Sequence, residues 1–203
     1  MIKFSVIMPS YLGSYPNSAS DKETKFKRAL DSLVNQSYKS WELIVIADGC
    51  KKTTELLKEY FQPLDGEYNV SCYLIPKQPK YSGIRNFGIE RAEGEYIIYL
   101  DTDDYFDTDY LLKLSKEITD NNWYMVDDLK MNGNEFKTDI CKLSLGHCGT
   151  SNIIHKRTMK SRWIKTDYSE DYQFIKLLQK ESDYKKLKTV GYYVCHIPFK
   201  YDV

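Results

Sequence analysis

Three carboxylates follow one another closely at residues 101–104, directly after an apolar segment that is typical of a buried strand. Asp101 and Asp103 are two positions apart, so in an extended segment their side chains point to the same side. Carboxylate oxygens are the ligands that a hard divalent cation prefers, and such a cation completes its shell with phosphate oxygens and water. The spacing favours a metal and phosphate site, with a solvated acidic turn as the alternative.

Arg85 is a candidate anion receptor, because arginine is scarce in this lysine-rich chain. It lies between Gly83 and Gly88, near the predicted start of a helix. A helix N-terminus together with a guanidinium binds a diphosphate or a carboxylate well. An exposed helical arginine is the alternative, and the nearby acidic segment favours the functional interpretation.

Two further carboxylates have roles that their sequence context leaves open. Asp48 stands in an Asp-Gly turn after an apolar strand, where it either accepts hydrogen bonds from a base or ribose or simply forms the turn. Asp171 lies in the first turn of an amphipathic helix. There it is either a general base that faces a cleft or a side chain that the helix dipole favours.

Alternating strands and helices position these residues. We predict strands at Lys3–Met8, Glu42–Ala47, Val70–Ile75 and Glu95–Leu100, with helices over 22–36, 53–61 and 83–92 between them. This alternation predicts an α/β fold with a mostly parallel, Rossmann-like sheet that is buried on both faces and flanked by helices. Ligands bind outside the carboxyl ends of such strands, so the candidate residues are expected to meet at one edge.

The second half of the chain has a more irregular pattern. We predict a helix over 108–119 with Thr108 as its N-cap, a strand over 123–129, and a hairpin around the Asn-Gly pair within 131–138. A helix over 169–180 and a strand over 189–197 follow. Because no linker or repeat is visible, we predict a single domain over 1–203, with a nucleotide-type half at about 1–104 and an irregular half at about 105–203.

The composition excludes several classes of protein. Lys plus Arg and Asp plus Glu both number 29, so the basic surface of a general nucleic-acid-binding protein is not expected. The five cysteines form no CxxC pair, and neither a leader peptide nor an apolar run of about 20 residues is found. These features predict a reduced, cytoplasmic protein, with association at the inner face of a membrane still allowed. The sequence also lacks GxGxxG, GxxxxGK[ST] and GxSxG, which disfavours dinucleotide enzymes, P-loop NTPases and α/β-hydrolases.

Four segments in order resemble the successive signatures of family 2 glycosyltransferases: FSVIMPSY, ELIVIADG, SGIRNFGIERAEGEYIIYLDTDD and SEDYQF. The resemblance is continuous from about residue 3 to about residue 112 and thinner to about residue 180. It implies a GT-A fold and an inverting enzyme that takes a sugar from a nucleotide donor, commonly a UDP-sugar, with Mn²⁺ or Mg²⁺. The implied acceptor is a hydroxyl group of a polysaccharide, glycoconjugate or glycolipid.

The same resemblance assigns roles to the candidate residues. On the donor side, it implies that the nucleoside pocket is lined by Pro9, Ser10 and Tyr11. It implies that Asp48 contacts the base and that Arg85 contacts the base or the diphosphate. On the reacting side, it implies that Asp101 lies near the ribose and the metal and that Asp103 is a direct metal ligand. It implies that Asp171 is the general base and that His196 is a further candidate metal ligand.

One departure from the family pattern leaves the base preference open, because Ala47-Asp48-Gly49-Cys50 stands where family members often have Asp-Asp-Gly-Ser. Two other functions compete. A sugar-nucleotide nucleotidyltransferase is disfavoured, since PSYLGSYPNSAS contains no arginine of the kind its glycine-rich loop carries. The other is a degenerate transferase that binds nucleotide or glycan without turnover. Completion of the acceptor site by a homodimer mate or another partner is also compatible with the sequence.

Overall fold

The computed structural model describes residues 1–14, 21–64, 66–166 and 169–195. Its strands are β1 (Phe4–Ser10), β2 (Trp41–Asp48), β3 (Val70–Ile75), β4 (Tyr96–Tyr99), β5 (Tyr105–Phe106), β6 (Trp123–Asn132), β7 (Glu135–Asp139), β8 (Ile153–Lys156) and β9 (Tyr184–Val194). Its helices are α1 (Lys22–Val34), α2 (Lys51–Phe61), α3 (Tyr81–Ile89), α4 (Tyr110–Glu117) and α5 (Glu170–Glu181). Within these ranges, no helix is long and apolar enough to cross a bilayer.

One mixed sheet contains all of these strands in the order β3-β2-β1-β4-β8-β6-β9-β5, with β7 paired to β6. The first half is parallel, since β1 pairs with β2 and β4, and β2 pairs with β3. In the second half β8 is antiparallel to β4 and β6, while β6 and β9 run parallel. The predicted α/β fold is confirmed, and the strands of the first half, β1 to β4, pair with one another only in parallel.

Helices cover both faces of the central strands, which explains why β1 and β2 are mostly apolar and are buried along their whole length. Phe4, Val6 and Met8 pack with α1 and α2 on one face, and Ile7 packs with α3 on the other. β3 departs from the predicted burial. It lies at the edge of the sheet, and its Leu74 side chain is exposed.

Several predicted boundaries are wrong by a few residues. α4 begins at Tyr110 with Asp109 in the N-cap position, not Thr108, whose carbonyl instead accepts a hydrogen bond from the backbone N–H of Ser37. β9 begins at residue 184, earlier than predicted, and the end of the predicted strand lies outside the described residues. The hairpin is confirmed, with Gly133 at φ +68° between β6 and β7. β5 and β8 escaped prediction because strands of two and four residues carry no periodic pattern.

Candidate active site

The parallel strands bring most of the candidate residues to one edge of the sheet. Ser10 and Asp48 are the last residues of β1 and β2, and Asp101 lies two positions beyond the end of β4. Arg85 lies near the middle of α3 and not at its N-terminus as predicted, because that helix begins at residue 81. The Arg85 guanidinium therefore does not lie beside the free backbone N–H groups of the helix N-terminus, contrary to the prediction from the sequence.

The acidic segment forms a turn, which corrects the expectation of an extended strand end. The backbone N–H of Asp104 donates to the carbonyl of Asp101 at 3.2 Å and closes it. Asp104 is buried, and its carboxylate accepts hydrogen bonds from the Tyr192 hydroxyl at 2.9 Å and from the backbone N–H of Cys195 at 2.6 Å. This leaves Asp101 and Asp103 as the carboxylates of the turn that remain available to a ligand.

Negative charge is crowded around this turn. Loss of hydration and, after the opposing charge of Arg85, the carboxylates of Asp103 and Asp171 raise the pKa of the Asp101 carboxyl above its usual range. Burial, followed by the charges of Asp103 and Asp101, raises the pKa of Asp104 well above its usual range. A divalent cation bound here would relieve this repulsion.

The carboxylates of the acidic turn fit a hard divalent cation that is also bound by oxygen atoms of a substrate. Asp101 has a side chain that is 38% exposed, and the carboxylate of Asp103 makes no hydrogen bond or ion pair within the described ranges. Among those residues, no group of three His, Cys, Asp or Glu side chains is placed to hold a metal by itself. Two carboxylates with diphosphate oxygens and water would complete such a shell. His196, the third predicted ligand, lies outside the described residues.

A chain of hydrogen bonds joins the two sides of the site through Thr150. Arg85 Nη2 donates to Thr150 Oγ1 at 3.0 Å, and the Thr150 hydroxyl donates to Asp171 Oδ1 at 2.8 Å. The same Nη2 atom lies 3.8 Å from Asp101 Oδ1. Trp163 supports the arrangement, with its ring 4.7 Å from the Arg85 guanidinium carbon. The predicted anion receptor and the predicted base are thus fixed relative to each other.

An open cleft of about 180 Å³ brings Asp101, Thr150 and Asp171 together. Its remaining lining comes from the acidic turn, from residues 128–151 and from the end of β9: Asp104, Asp128, Lys130, Gly146, Cys148, Gly149, Ser151 and Val194. Asp103 is not part of this lining. The cleft therefore joins the predicted base to the first carboxylate of the acidic turn, not to the second.

Asp48 lies at the carboxyl end of β2 and has a side chain that is 3% exposed. Its Oδ1 atom accepts a hydrogen bond from the backbone N–H of Gln78 at 2.6 Å, and its Oδ2 atom forms an ion pair with Lys77 Nζ at 2.8 Å. Lys77 Nζ also lies 3.4 Å from the centre of the Tyr11 ring. Next to them, the hydroxyls of Ser10 and Thr53 are hydrogen bonded at 2.9 Å, and Pro9 precedes Ser10 in β1.

The sequence interpretation missed Thr150 and Lys77, and it underestimated Asp104. Thr150 belongs to a polar Gly-Thr-Ser-Asn segment and Lys77 to one of many lysines, so neither carried a pattern. Ser169 has an unusual backbone conformation that could not be predicted from the sequence. Within the described ranges it is the only non-glycine residue with positive φ, at +61°, directly before α5 and two residues before Asp171. Strain of this kind clusters at functional sites.

Comparison with known proteins identifies the family of the chain. A model of the family described as glycosyl transferase family 2 matches residues 5–185. The chain belongs to this family. Similar proteins include glycosyltransferase GlyA of Streptococcus pneumoniae, 28% identical over 118 residues, which are 58% of this chain and 15% of GlyA. An uncharacterized glycosyltransferase of Haemophilus influenzae is 34% identical over 110 residues, 54% of this chain and 39% of that protein. The chain therefore spans well under half of these relatives.

Solved structures show the same fold. Residues 1–349 of Staphylococcus aureus TarS in complex with UDP-GlcNAc superpose with a TM-score of 0.74 at 18% identity, covering 98% of this chain and 60% of that one. The mannosyltransferase PcManGT of Pyrobaculum calidifontis, in complex with GDP-Man and Mn²⁺, superposes with a TM-score of 0.70 at 12% identity, covering 96% and 57%. At such identities the likeness establishes the GT-A fold.

Proposed function

We propose that this family 2 chain transfers a sugar from a nucleotide-sugar donor, a UDP-sugar in the first instance, to a hydroxyl group of a glycan or glycolipid in the cytoplasm. The observation that carries the proposal is the cleft that Asp101, Thr150 and Asp171 line together at the carboxyl edge of the sheet. Behind this lining, the buried Arg85 donates to Thr150 and lies 3.8 Å from Asp101. The complex of TarS with UDP-GlcNAc supports the choice of donor.

In the proposed reaction, Asp171 is the general base of a single displacement. Its Oδ1 atom is occupied by the Thr150 hydroxyl, and Oδ2 makes no hydrogen bond within the described residues, so Oδ2 receives the proton of the acceptor hydroxyl. The acceptor oxygen bonds to the anomeric carbon as the bond from that carbon to the diphosphate breaks. The nucleoside diphosphate leaves, and the configuration at that carbon inverts.

Asp101 and Asp103 are the residues that would hold Mn²⁺ or Mg²⁺ with the diphosphate. Such a cation stabilises the negative charge that develops on the leaving diphosphate. Arg85, buried against Trp163 and 3.8 Å from Asp101, contributes a second fixed positive charge on the donor side. A guanidinium that is already hydrogen bonded and packed loses little conformational entropy when it binds an anion.

The proposal is tested by calorimetric titration of UDP, GDP and CMP, each with and without Mn²⁺, followed by transfer assays with UDP-sugars. Asp103→Ala is expected to lose metal-dependent binding of the nucleotide. Asp171→Asn is expected to bind it as the wild type does and to lose transfer by at least about 100-fold. Asp183→Asn removes an exposed carboxylate elsewhere and serves as the control.

Normal transfer by either active-site variant would refute the residue assignment. Nucleotide binding without any turnover across the donor panel would favour the competing function, a degenerate transferase that acts as a binding module. Absence of binding by every nucleotide would contradict the proposed donor site itself.

A further inference from the structure

Asp128 is a buried carboxylate that has no role in the reaction proposed above. It lies in β6, is 2% exposed, and lines the cleft that also contains Asp101 and Asp171. Its Oδ2 atom accepts a hydrogen bond from the Ser151 hydroxyl at 2.9 Å. Its Oδ1 atom is buried and has no hydrogen-bond partner among the described residues. Because nearly all buried polar atoms in proteins are hydrogen bonded, this oxygen requires an explanation.

The neighbouring carboxylate shows that the unpartnered oxygen is particular to Asp128. Asp127 forms an ion pair with Lys186, and its Oδ1 atom accepts a hydrogen bond from the backbone N–H of Cys141 at 2.8 Å. The pairing of β6 with β9 is irregular on both sides of Asp127. Such irregularities redirect side chains and are common beside active sites. The irregular part of β6 is also the part that borders the cleft.

The surroundings of Asp128 compensate its negative charge poorly. Burial raises the pKa of Asp128 to about 6, against the opposing effects of the Ser151 hydroxyl and the Lys130 charge. Lys130 forms its ion pair with Asp139, at 2.6 Å. The side-chain amide of Asn152, which also lies close to Asp128, donates to a backbone carbonyl of β6. A further hydrogen-bond donor in the cleft would therefore stabilise the Asp128 carboxylate.

Two consecutive hydroxyl groups hold Asp128 and Asp171 in matching arrangements. Thr150 donates to Asp171 Oδ1 at 2.8 Å, and Ser151 donates to Asp128 Oδ2 at 2.9 Å. In each carboxylate the second oxygen has no hydrogen-bond partner among the described residues. The cleft has a volume of only about 180 Å³, so a sugar that fills it meets both side chains.

Resting on the proposed function, in which Asp171 takes the proton of the acceptor hydroxyl, we propose that Asp128 binds the acceptor sugar and determines acceptor specificity. The Asp128 carboxylate accepts a hydrogen bond from a second hydroxyl of that sugar while the reacting hydroxyl lies at Asp171. An ionised carboxylate accepts hydrogen bonds and cannot donate them, so its partner must carry an O–H or N–H group. Two anchored hydroxyls fix the orientation of the ring and thereby decide which hydroxyl reacts.

The test compares wild type and Asp128→Asn in steady-state transfer from the UDP-sugar that the wild type uses. The acceptors are p-nitrophenyl glycosides of the common hexoses and N-acetylhexosamines, together with the monodeoxy analogues of the best acceptor. For the wild type, loss of one non-reacting hydroxyl is expected to raise the acceptor KM at least about tenfold, since a buried charged group then lacks its partner. For Asp128→Asn, the KM of the parent acceptor is expected to be raised similarly, and that of the deoxy analogue to differ from it by less than about threefold.

The controls separate the acceptor from the donor. Calorimetric titration of UDP with Mn²⁺ and the KM for the UDP-sugar are expected to give the same values for Asp128→Asn and the wild type. Asp183→Asn, at an exposed position, is expected to retain the wild-type acceptor KM and the wild-type discrimination against the deoxy analogue. If Asp128→Asn does not fold, Ser151→Ala, which removes the hydroxyl that orients Asp128, must reduce the same discrimination.

Each other outcome decides against the inference. An unchanged acceptor KM in Asp128→Asn would mean that Asp128 does not bind the acceptor. A raised KM for the UDP-sugar alone would assign the contact to the transferred sugar. A raised acceptor KM with undiminished discrimination would mean that Asp128 acts through packing. If the wild type transfers sugar to none of these acceptors, the proposed function fails together with this inference, whereas transfer that keeps its hydroxyl preference in Asp128→Asn refutes the inference alone.

Discussion

At the scale of single residues, the site depends on side chains whose hydrogen-bond directions are fixed by their neighbours. Thr150 shows this clearly. Arg85 donates to its oxygen, so its own proton is directed to Asp171, and the hydroxyl is buried at the wall of the cleft. One threonine therefore orients both the predicted base and the donor-side guanidinium.

Thr150→Val keeps the shape of the side chain and removes the hydroxyl. We expect kcat for transfer to fall about 10- to 100-fold, since a hydrogen bond to a charged group contributes about 1.5–3 kcal/mol. Thr150→Ser keeps the hydroxyl and should restore kcat to within about threefold of the wild type. Steady-state kinetics and nucleotide titration measure these effects. A serine variant as impaired as the valine variant would show that Thr150 acts through packing.

At the scale of elements, β4 and β8 are joined to the segment before α5 by a buried chain of hydrogen bonds. Trp163 Nε1 donates to the Tyr99 hydroxyl at 2.9 Å, and Tyr99 is 2.8 Å from His155 Nε2. His155 Nδ1 lies 3.0 Å from the carbonyl of Lys156, so the neutral ring donates there and accepts from Tyr99. If His155 were protonated, Nε2 could no longer accept, and the Tyr99 hydroxyl proton would have no acceptor in this chain.

This arrangement predicts a contribution of His155 to the pH dependence of stability. Burial lowers the pKa of His155 from its ordinary 6.5 to about 4, so between these values the unfolded chain binds more protons than the folded one. The free energy of unfolding therefore decreases as the pH falls through this window. The total decrease that results from His155 is on the order of 3 kcal/mol.

The measurement is denaturant unfolding of wild type and His155→Gln between pH 4 and pH 7. The difference between the two curves is the relevant quantity, because Asp128, whose pKa is raised to about 6 by burial, changes stability in the opposite sense in the same window. His147→Gln, at an exposed position, is the control. Parallel curves for wild type and His155→Gln would contradict the prediction.

At the scale of the whole molecule, the described parts of both halves of the chain share their packing. Phe4, Val6 and Met8 of β1 belong to the same apolar cluster as Tyr124 of β6 and Tyr192 of β9. The sheet is continuous from β3 to β5. Within the described residues, both halves therefore contribute side chains to one apolar cluster.

We therefore expect residues 1–203 to unfold as one cooperative unit, as the single-domain prediction requires. Trp41 lies in the first half, and Trp123 and Trp163 lie in the second. Fluorescence of Trp41→Phe reports on the second half, and fluorescence of the double variant Trp123→Phe with Trp163→Phe reports on the first. Each should show one transition that coincides with that from circular dichroism of the same variant. Separate midpoints for the two probes within a variant would divide the chain into two domains.

The parallel half of the fold and most of the candidate residues could be predicted from the amino-acid sequence. Apolar strands that are buried on both faces and helices with one apolar face are local patterns, and the motifs after β1, β2 and β4 follow from them. The strand order then places Ser10, Asp48 and Asp101 at one edge, as the topology of a parallel sheet requires.

The contacts between those residues could not be predicted from the sequence and were found in the folded structure. Thr150 reaches Arg85 across 65 positions and Asp171 across 21, and Lys77 reaches Asp48 from the end of a different strand. The structure also showed three further features that the sequence did not predict. They are the turn that begins at Asp101, the position of Arg85 near the middle of α3 and the left-handed backbone of Ser169. Such contacts depend on side chains that meet through the fold, and no periodicity along the chain encodes them.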